Sequence, residues 1–191
     1  MLLWIDACVR EESRTRILTK ELVKGLGQET VYVRLEDSKL PSLDQETLAA
    51  RTGACAEGDF SLPVFDLARQ FAAADVIVIS VPYWDLSFPA VLKKYIEAIC
   101  VTGLTFKYSP EGRPIGLCRA KRLYYVTTAG GPIINSSFAQ GYIEALSRGM
   151  FGIPEFYSFA AENLDVRGND VEALLQESLE EIRTHLAEHP L

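Results

Sequence analysis

The chain has 191 residues, of which 48% are hydrophobic and 24% charged, and this suits a single domain over residues 1–191 with a buried core. Its formal net charge of −7 argues against non-specific binding to nucleic acids or anionic membranes, because both partners would repel it. No apolar run approaches the roughly 20 residues that cross a bilayer, and the first residues lack the basic flank of a signal peptide, so we expect a cytoplasmic protein without membrane insertion.

Short apolar segments predict five strands, which in chain order cover residues 2–5, 31–35, 76–79, 123–126 and 156–160. The first, third and fourth are continuous apolar runs rich in β-branched or aromatic residues. Such runs are typical of strands that are buried on both faces of a parallel sheet. The second segment alternates between apolar and polar residues, which indicates a strand nearer the edge, and the fifth is the candidate for the other edge.

Apolar residues at helical spacing fall between and after these strands, over residues 17–26, 64–72, 91–99, 138–146 and 171–186. Gly25 and Gly27 are stop signals for the first of these helices, and Pro89 suits the first turn of the third. Asn169, with Glu172 three residues later, predicts a capping box at the start of the last helix.

Strands and helices therefore alternate through five rounds. This alternation predicts a three-layer α/β fold, in which a five-stranded parallel sheet carries helices on both faces. Five strands suggest the order 2-1-3-4-5. Two segments are longer than simple connections: residues 36–62, with a helical stretch around 43–51, and residues 103–120, which are rich in glycine, proline and charge.

The cysteines and histidines form no recognisable metal-binding or disulfide pattern. Cys8, Cys55, Cys100 and Cys118 show no CxxC spacing, and both histidines lie near the end of the chain. We therefore expect no metal site and free thiols in a reducing compartment.

The loop after the first strand is a candidate phosphate site. In an open α/β sheet, ligands bind beyond the carboxyl ends of the strands where the strand order reverses, here between strands one and three. A helix start offers free N–H groups to a phosphate, while Ser13 and Thr15 add hydroxyl groups and Arg10 or Arg14 a positive charge. Neither G-x-G-x-x-G nor a P-loop is present, which disfavours a dinucleotide or triphosphate clamp. An ordinary N-cap explains Ser13 equally well.

The loops after the third and fourth strands would meet at the same edge. Tyr83 and Trp84, between two prolines, form a stiff apolar wall against which a planar conjugated ring could lie. Covering of the core explains the two aromatics equally well. Gly130 and Gly131 let the backbone approach a ligand closely, although a turn needed only for topology would also use them.

With these loops the chain resembles the flavodoxin-like NAD(P)H-dependent oxidoreductases, the group of the FMN-dependent azoreductases and NAD(P)H:quinone reductases. The resemblance rests on SRT at 13–15, PYWDLSFPAVLK at 82–93, GLTF at 103–106 and TTAGG at 127–131. It implies a flavodoxin-like fold, non-covalently bound FMN, NAD(P)H as co-substrate, and a homodimer whose substrate pocket lies at the interface over the flavin.

The resemblance also implies the residues of the flavin site. Ser13 and Thr15 would bind the FMN phosphate. The residues implied to line the isoalloxazine ring are Pro82, Tyr83, Trp84, Asp85 and Leu86. Those implied to contact its pyrimidine end are Thr128, Ala129, Gly130 and Gly131.

Several positions depart from the pattern of that family. Cys8 stands where azoreductases commonly have serine, and Asp85 where they often have asparagine. Pro132 and Ile133 follow the paired glycines, without the aromatic residue or histidine often found nearby. A thiol near a helix N-terminus invites the hypothesis that Cys8 has a lowered pKa; a small structural residue is the alternative interpretation.

The predicted function is transfer of two electrons from NAD(P)H, by hydride transfer through flavin N5, to a small-molecule acceptor such as a quinone or an azo compound. No catalytic side chain is required, because the flavin carries the chemistry. Two alternatives stay open: an electron carrier of the flavodoxin type, and a flavin-free binding or regulatory protein on the same fold.

Overall fold

The computed structural model describes residues 1–191. Its strands are β1 (Leu2–Asp6), β2 (Thr30–Arg34), β3 (Val76–Pro82), β4 (Phe106–Tyr108), β5 (Pro114–Gly116), β6 (Arg122–Thr128) and β7 (Glu155–Ala161). Its α-helices are α1 (Arg14–Leu26), α2 (Gln45–Glu57), α3 (Asp66–Ala73), α4 (Ala90–Ile99), α5 (Gln140–Leu146) and α6 (Val171–Glu188). None of these helices is both long and apolar enough to cross a membrane.

The main sheet has the order β2-β1-β3-β6-β7, and every neighbouring pair is parallel. Counted among the five strands of this sheet, the order is 2-1-3-4-5, which confirms the prediction. β4 and β5 form a separate antiparallel hairpin within the long segment after α4. The order therefore reverses between β1 and β3, so a crevice forms at the carboxyl ends of these two strands.

The continuous apolar strands fill two cores, one on each face of the sheet. Successive side chains of a strand point to opposite faces. Leu3 and Ile5 accordingly join one buried cluster with residues of α3, α4 and α5, whereas Leu2 and Trp4 join the other with residues of α1 and α6. The three-layer arrangement that the sequence predicts is thus confirmed.

Helix ends agree with the predicted stop signals in part. Gly27 ends α1 in the left-handed conformation, with φ of 63°. Gly25 instead lies inside the helix, where a Cβ atom would stand 2.3 Å from the Leu186 side chain on α6. The glycine therefore allows close packing of the two helices. Pro89 is the N-cap of α4 rather than a residue of its first turn.

The prediction of the last helix's cap was wrong by one residue. Asp170, not Asn169, caps α6, because its side chain accepts a hydrogen bond from the Ala173 N–H at 3.1 Å. The Asn169 side-chain amide turns back and donates to the carbonyl of Asn163 at 3.0 Å. An Asn-Asp pair offers two residues of nearly equal capping preference, so only the loop geometry chooses between them.

Two predicted helices also differ in extent. The helical stretch expected around 43–51 is capped by Asp44 and runs on to Glu57. The helix expected over residues 138–146 begins at Gln140 and has regular α geometry to Leu146, followed by one π-helical turn over Ser147–Phe151.

Candidate functional site

The carboxyl ends of β1, β3 and β6 open into a cleft of about 730 Å³. The loops that follow these strands line it, together with the loop after β7. The position is the one that strand order predicts, and the volume falls within the range of cofactor sites in proteins.

Most of the predicted site residues lie together in this cleft. Those that line it are Ser13, Thr15, Pro82, Tyr83, Trp84, Thr128, Ala129 and Gly130. The predicted residues that do not line it are Asp85, Leu86 and Gly131. The structure therefore brings eight of the eleven predicted residues together, and the loops after β3 and β6 contribute only their first residues to the cleft.

Asp85 and Leu86 form the tip of a tight two-residue turn. The Trp84 N–H donates to the Ser87 carbonyl at 3.0 Å and the Ser87 N–H to the Trp84 carbonyl at 2.7 Å. Both central residues have positive φ, 52° for Asp85 and 65° for Leu86. This is the pattern of a type I′ turn, which favours Asn-Gly. A leucine in this conformation is strained, and such strain tends to concentrate at functional sites.

The loop after β1 is organised by a buried carboxylate. Asp6 is fully buried and accepts four hydrogen bonds. Its donors are the Tyr32 hydroxyl at 2.6 Å, Arg16 Nε at 2.7 Å, and the Ser80 hydroxyl and Cys8 N–H at 3.0 Å each. Burial by itself raises the pKa of Asp6, but the hydrogen bonds from Tyr32, Arg16 and Cys8 outweigh it and hold the pKa below its ordinary value.

Arg16 connects this carboxylate to the loop. Its guanidinium donates to the carbonyl groups of Cys8 at 2.9 Å, Arg10 at 3.2 Å and Glu11. These three loop carbonyls therefore accept hydrogen bonds from within the protein. None of the backbone N–H groups of residues 9–15 donates to a protein acceptor. The loop and the start of α1, which line the cleft, therefore carry a run of free amide donors, as anion sites do.

The charges at the start of α1 also favour an anion. A helix N-terminus is normally stabilised by acidic side chains, yet the first turn of α1 has none and carries Arg14 and Arg16. Arg10 and Lys20 line the same cleft, so four basic side chains face three acidic ones there, Glu11, Glu12 and Asp165. This donor set fits a phosphate monoester, which is the charged end of FMN.

The hydroxyl groups of this loop already have partners within the protein. The Ser13 hydroxyl caps α1 by accepting from the Arg16 N–H at 3.4 Å. The Thr15 hydroxyl lies 2.7 Å from that of Thr128, so this pair joins the loops after β1 and β6. The structure thus shows the N-cap role of Ser13 that the sequence left open, and each hydroxyl retains capacity for a further hydrogen bond.

The structure contradicts the hypothesis of an acidified Cys8. Burial, with the neighbouring Asp6 carboxylate, raises the pKa of the Cys8 thiol to about 12. Its side chain is almost completely buried, and all four cysteines are free. Cys8 therefore stays protonated and serves as a small residue behind the loop.

Five residues of the cleft lie outside the loops that the sequence indicated: Arg16, Ile17, Lys20, Leu164 and Asp165. The last two follow β7, whose carboxyl end shares the same edge of the parallel sheet. That shared edge was the available signal for them. Lys20 lies one helical turn after Arg16, so helical spacing could have found it.

The loop after β7 lies along the loop after β6. The Leu164 N–H donates to the Ala129 carbonyl at 3.2 Å, and the Asp165 N–H to the Gly130 carbonyl at 2.8 Å. A Cβ atom at Gly130 would stand 2.4 Å from the Asp165 carboxylate, whereas one at Gly131 would meet nothing within 4 Å. The two adjacent glycines thus differ, since only Gly130 is required for a close approach.

We expect Asp6→Asn to lower the free energy of unfolding by about 3 kcal/mol at pH 7, because it leaves the largely buried Arg16 without its counter-charge. The folded-state pKa of Asp6 lies below its ordinary value of 3.8. Its ionisation therefore stabilises the fold above that value, and the contribution is lost as the pH falls below it. The difference between wild type and variant should accordingly narrow below about pH 4.

Urea titrations across pH measure this effect. Asp37→Asn is the control, because Asp37 is a mostly exposed partner of Arg34 and its loss should cost less than about 0.5 kcal/mol. A difference that stays constant between pH 7 and pH 3 would contradict the assignment of the stabilisation to ionised Asp6.

We expect Leu86→Gly to raise the free energy of unfolding by about 0.5 kcal/mol, because the relief of about 1–2 kcal/mol of left-handed strain exceeds the entropic cost of glycine. Leu62→Gly is the matched control, with 39% exposure against 41% and a φ of −62°. That variant should be destabilised by about 0.5–1 kcal/mol. Chemical denaturation distinguishes the two variants, and an equal loss in the free energy of unfolding for both would argue against strain at Leu86.

Comparison with known proteins agrees with this architecture. The family model described as "Flavodoxin-like fold" matches residues 1–186. An FMN-dependent NADH:quinone oxidoreductase of Clostridium perfringens is 34% identical over 188 residues, which cover 94% of each chain. An FMN-dependent NADH:quinone oxidoreductase 2 of Clostridium acetobutylicum is 42% identical over 130 residues, covering 65% of this chain and 64% of that relative.

Solved structures share the fold at lower sequence identity. An azoreductase from Bacillus anthracis strain Sterne superposes with a TM-score of 0.84 at 23% identity, over 98% of this chain and 99% of that one. An FMN-dependent NADH-azoreductase from Bacillus anthracis strain Ames Ancestor, solved in complex with FMN, gives 0.81 at 22%, over 98% and 97%. The chain therefore belongs to the flavodoxin-like family that includes the clostridial FMN-dependent NADH:quinone oxidoreductases.

Proposed function

We propose that the chain, as a single flavodoxin-like domain over residues 1–191, is an FMN-dependent NAD(P)H oxidoreductase that reduces a quinone, an azo compound or a similar small acceptor. The observation that carries the proposal is the run of free N–H groups over residues 9–15, which leads into a helix whose first turn has no acidic side chain. The relatives that align over 94% of this chain support the reaction class.

The phosphate of FMN would be held at the start of α1. The free amides of residues 9–15 would donate to it, with the hydroxyl groups of Ser13 and Thr15 beside them. The Arg16 guanidinium, paired with Asp6, engages the loop carbonyls of Cys8 and Arg10 in hydrogen bonds. The loop is thus preorganised for an anion, so little conformational entropy is lost on binding.

The ring system would lie between the loops after β3 and β6. Pro82, Tyr83 and Trp84 line one part of the cleft, and Thr128 with Ala129 another. The Tyr83 hydroxyl donates to the Asn135 carbonyl at 2.9 Å, which fixes the orientation of this aromatic wall. Asp85, Leu86 and Gly131 would contact the flavin only through the rims of these loops.

When bound, FMN supplies the redox chemistry, by taking a hydride from the nicotinamide and passing two electrons to the acceptor. The chain's own residues bind it, orient it and exclude water from one of its faces. We assign no catalytic side chain. A cytoplasmic location accords with the four free thiols.

We also propose that two copies associate beside the cleft. Trp84, Leu86, Ile134 and Phe138 are exposed by 39%, 41%, 75% and 59%. Their segments lie together, because the Ser87 hydroxyl donates to the Phe138 carbonyl at 2.7 Å. Adjoining exposed apolar side chains of this kind are characteristic of interaction surfaces.

Sedimentation velocity tests the association. The wild type and Leu48→Glu, a variant at a 51% exposed position on α2, should sediment as dimers, whereas Ile134→Glu should sediment as a monomer because it places a charge within the apolar surface. A monomeric wild type would contradict the proposed dimer without affecting the flavin site.

Absorption spectra test the proposed activity. The purified protein with added FMN should retain an oxidised-flavin spectrum after gel filtration, and NADH or NADPH should bleach it under anaerobic conditions. A second bleaching cycle after addition of a quinone establishes turnover. A retained flavin that neither nucleotide reduces would favour the electron carrier, and failure to bind FMN would favour a flavin-free binding protein.

A further inference from the structure

An ion pair crosses the rim of the cleft between its first and last loops. Arg14, at the first position of α1, donates from Nη1 to Asp165 Oδ1 at 2.7 Å and to the Leu164 carbonyl at 3.4 Å. The Arg14 side chain is 41% exposed and that of Asp165 is 64% exposed. Both residues line the cleft. This ion pair therefore stands beside the free amides of residues 9–15, where an anionic ligand would lie.

The two partners are held with very different firmness. Asp165 is anchored by its own backbone, whose N–H donates to the Gly130 carbonyl at 2.8 Å. Its carboxylate also lies too close to Gly130 for a Cβ atom to fit there, so the glycine makes room for it. Arg14 reaches Asp165 through a long and flexible side chain. If the pair opens, Arg14 is consequently the partner that moves.

The negative charge of Asp165 opposes anion binding at this site unless the positive charge of Arg14 offsets it. A carboxylate at the rim repels a phosphate group, and it also occupies the cation that could bind that group. A guanidinium binds a phosphate dianion more strongly than a single exposed carboxylate, because it can donate two parallel hydrogen bonds to a larger charge. Exposed ion pairs are weak, so exchanging one partner for the other costs little.

We propose that Arg14 exchanges Asp165 for the phosphate of the bound flavin, and that Asp165 thereby tunes the preference of the site for FMN over phosphate-free riboflavin. This proposal rests on the proposed function and adds to it two residues that determine specificity. The ion pair holds Arg14 at the cleft before the flavin binds. Asp165 then weakens phosphate binding, because it competes with the phosphate for Arg14.

Quenching of flavin fluorescence measures the dissociation constants of FMN and riboflavin for wild type, Asp165→Asn, Arg14→Gln and the double variant. We expect Asp165→Asn to lower the dissociation constant of FMN about threefold, since Arg14 no longer has to leave a carboxylate. Arg14→Gln should raise the dissociation constant of FMN about threefold in the wild-type background. In the Asp165→Asn background the rise should be about tenfold, because there the whole attraction between Arg14 and the phosphate is lost. The dissociation constant of riboflavin should change by less than about twofold in every variant.

The chain offers a matched control pair on α3. Arg69 and Asp66 are paired with exposures of 40% and 61%, close to those of the cleft pair, and they do not line the cleft. Asp66→Asn and Arg69→Gln should leave both flavin affinities unchanged. Thermal melting of every variant verifies that the fold is retained.

The outcomes separate the two proposals. If FMN binds the wild type but Asp165→Asn does not tighten it, or if Arg14→Gln costs the same in both backgrounds, the exchange is overturned while the flavin site stands. Equal shifts for riboflavin and FMN would likewise overturn it, because the phosphate would not be the group sensed. If the wild type binds neither flavin, the proposed function fails, and the exchange with it.

Discussion

The ion pair between Asp6 and Arg16 is the interaction on which the cleft depends. It joins the end of β1 to the first turn of α1, with the carboxylate fully buried and the guanidinium 12% exposed. A buried charge is costly unless every hydrogen bond is made, and Asp6 makes them with Tyr32, Ser80 and Cys8 as well. The same guanidinium donates hydrogen bonds to three loop carbonyls. The buried pair therefore also fixes the loop in a conformation in which its amides have no protein acceptor.

This organisation explains a helix start that is electrostatically unusual. Cations at a helix N-terminus oppose the helix dipole, so Arg14 and Arg16 reduce the intrinsic stability of α1. Each is compensated by a carboxylate from elsewhere in the chain, Asp6 for Arg16 and Asp165 for Arg14. The two pairs differ in burial, and the difference separates their roles. The buried pair is a permanent part of the fold, whereas the exposed pair is free to exchange.

The remaining walls of the cleft are joined to the same frame. The hydroxyl groups of Thr15 and Thr128 join α1 to the end of β6, and backbone hydrogen bonds join the loops after β6 and β7. The strained turn at Asp85 and Leu86 stands at the rim beside Trp84. The free amides of residues 9–15 therefore adjoin an apolar rim that contains a strained turn.

The sequence by itself determined the layered architecture and the edge of the sheet where the cleft lies. Continuous apolar strands and alternating helices suffice for this, since both depend on local periodicity and on the handedness of crossovers. It also indicated the loops after β1, β3 and β6. Only the tertiary structure decided that Asp6 is buried beneath the loop, that Cys8 stays protonated, and that Arg14 meets Asp165 across 151 positions of sequence. These are long-range contacts whose formation depends on how separate loops pack, and no local pattern of residues encodes that packing.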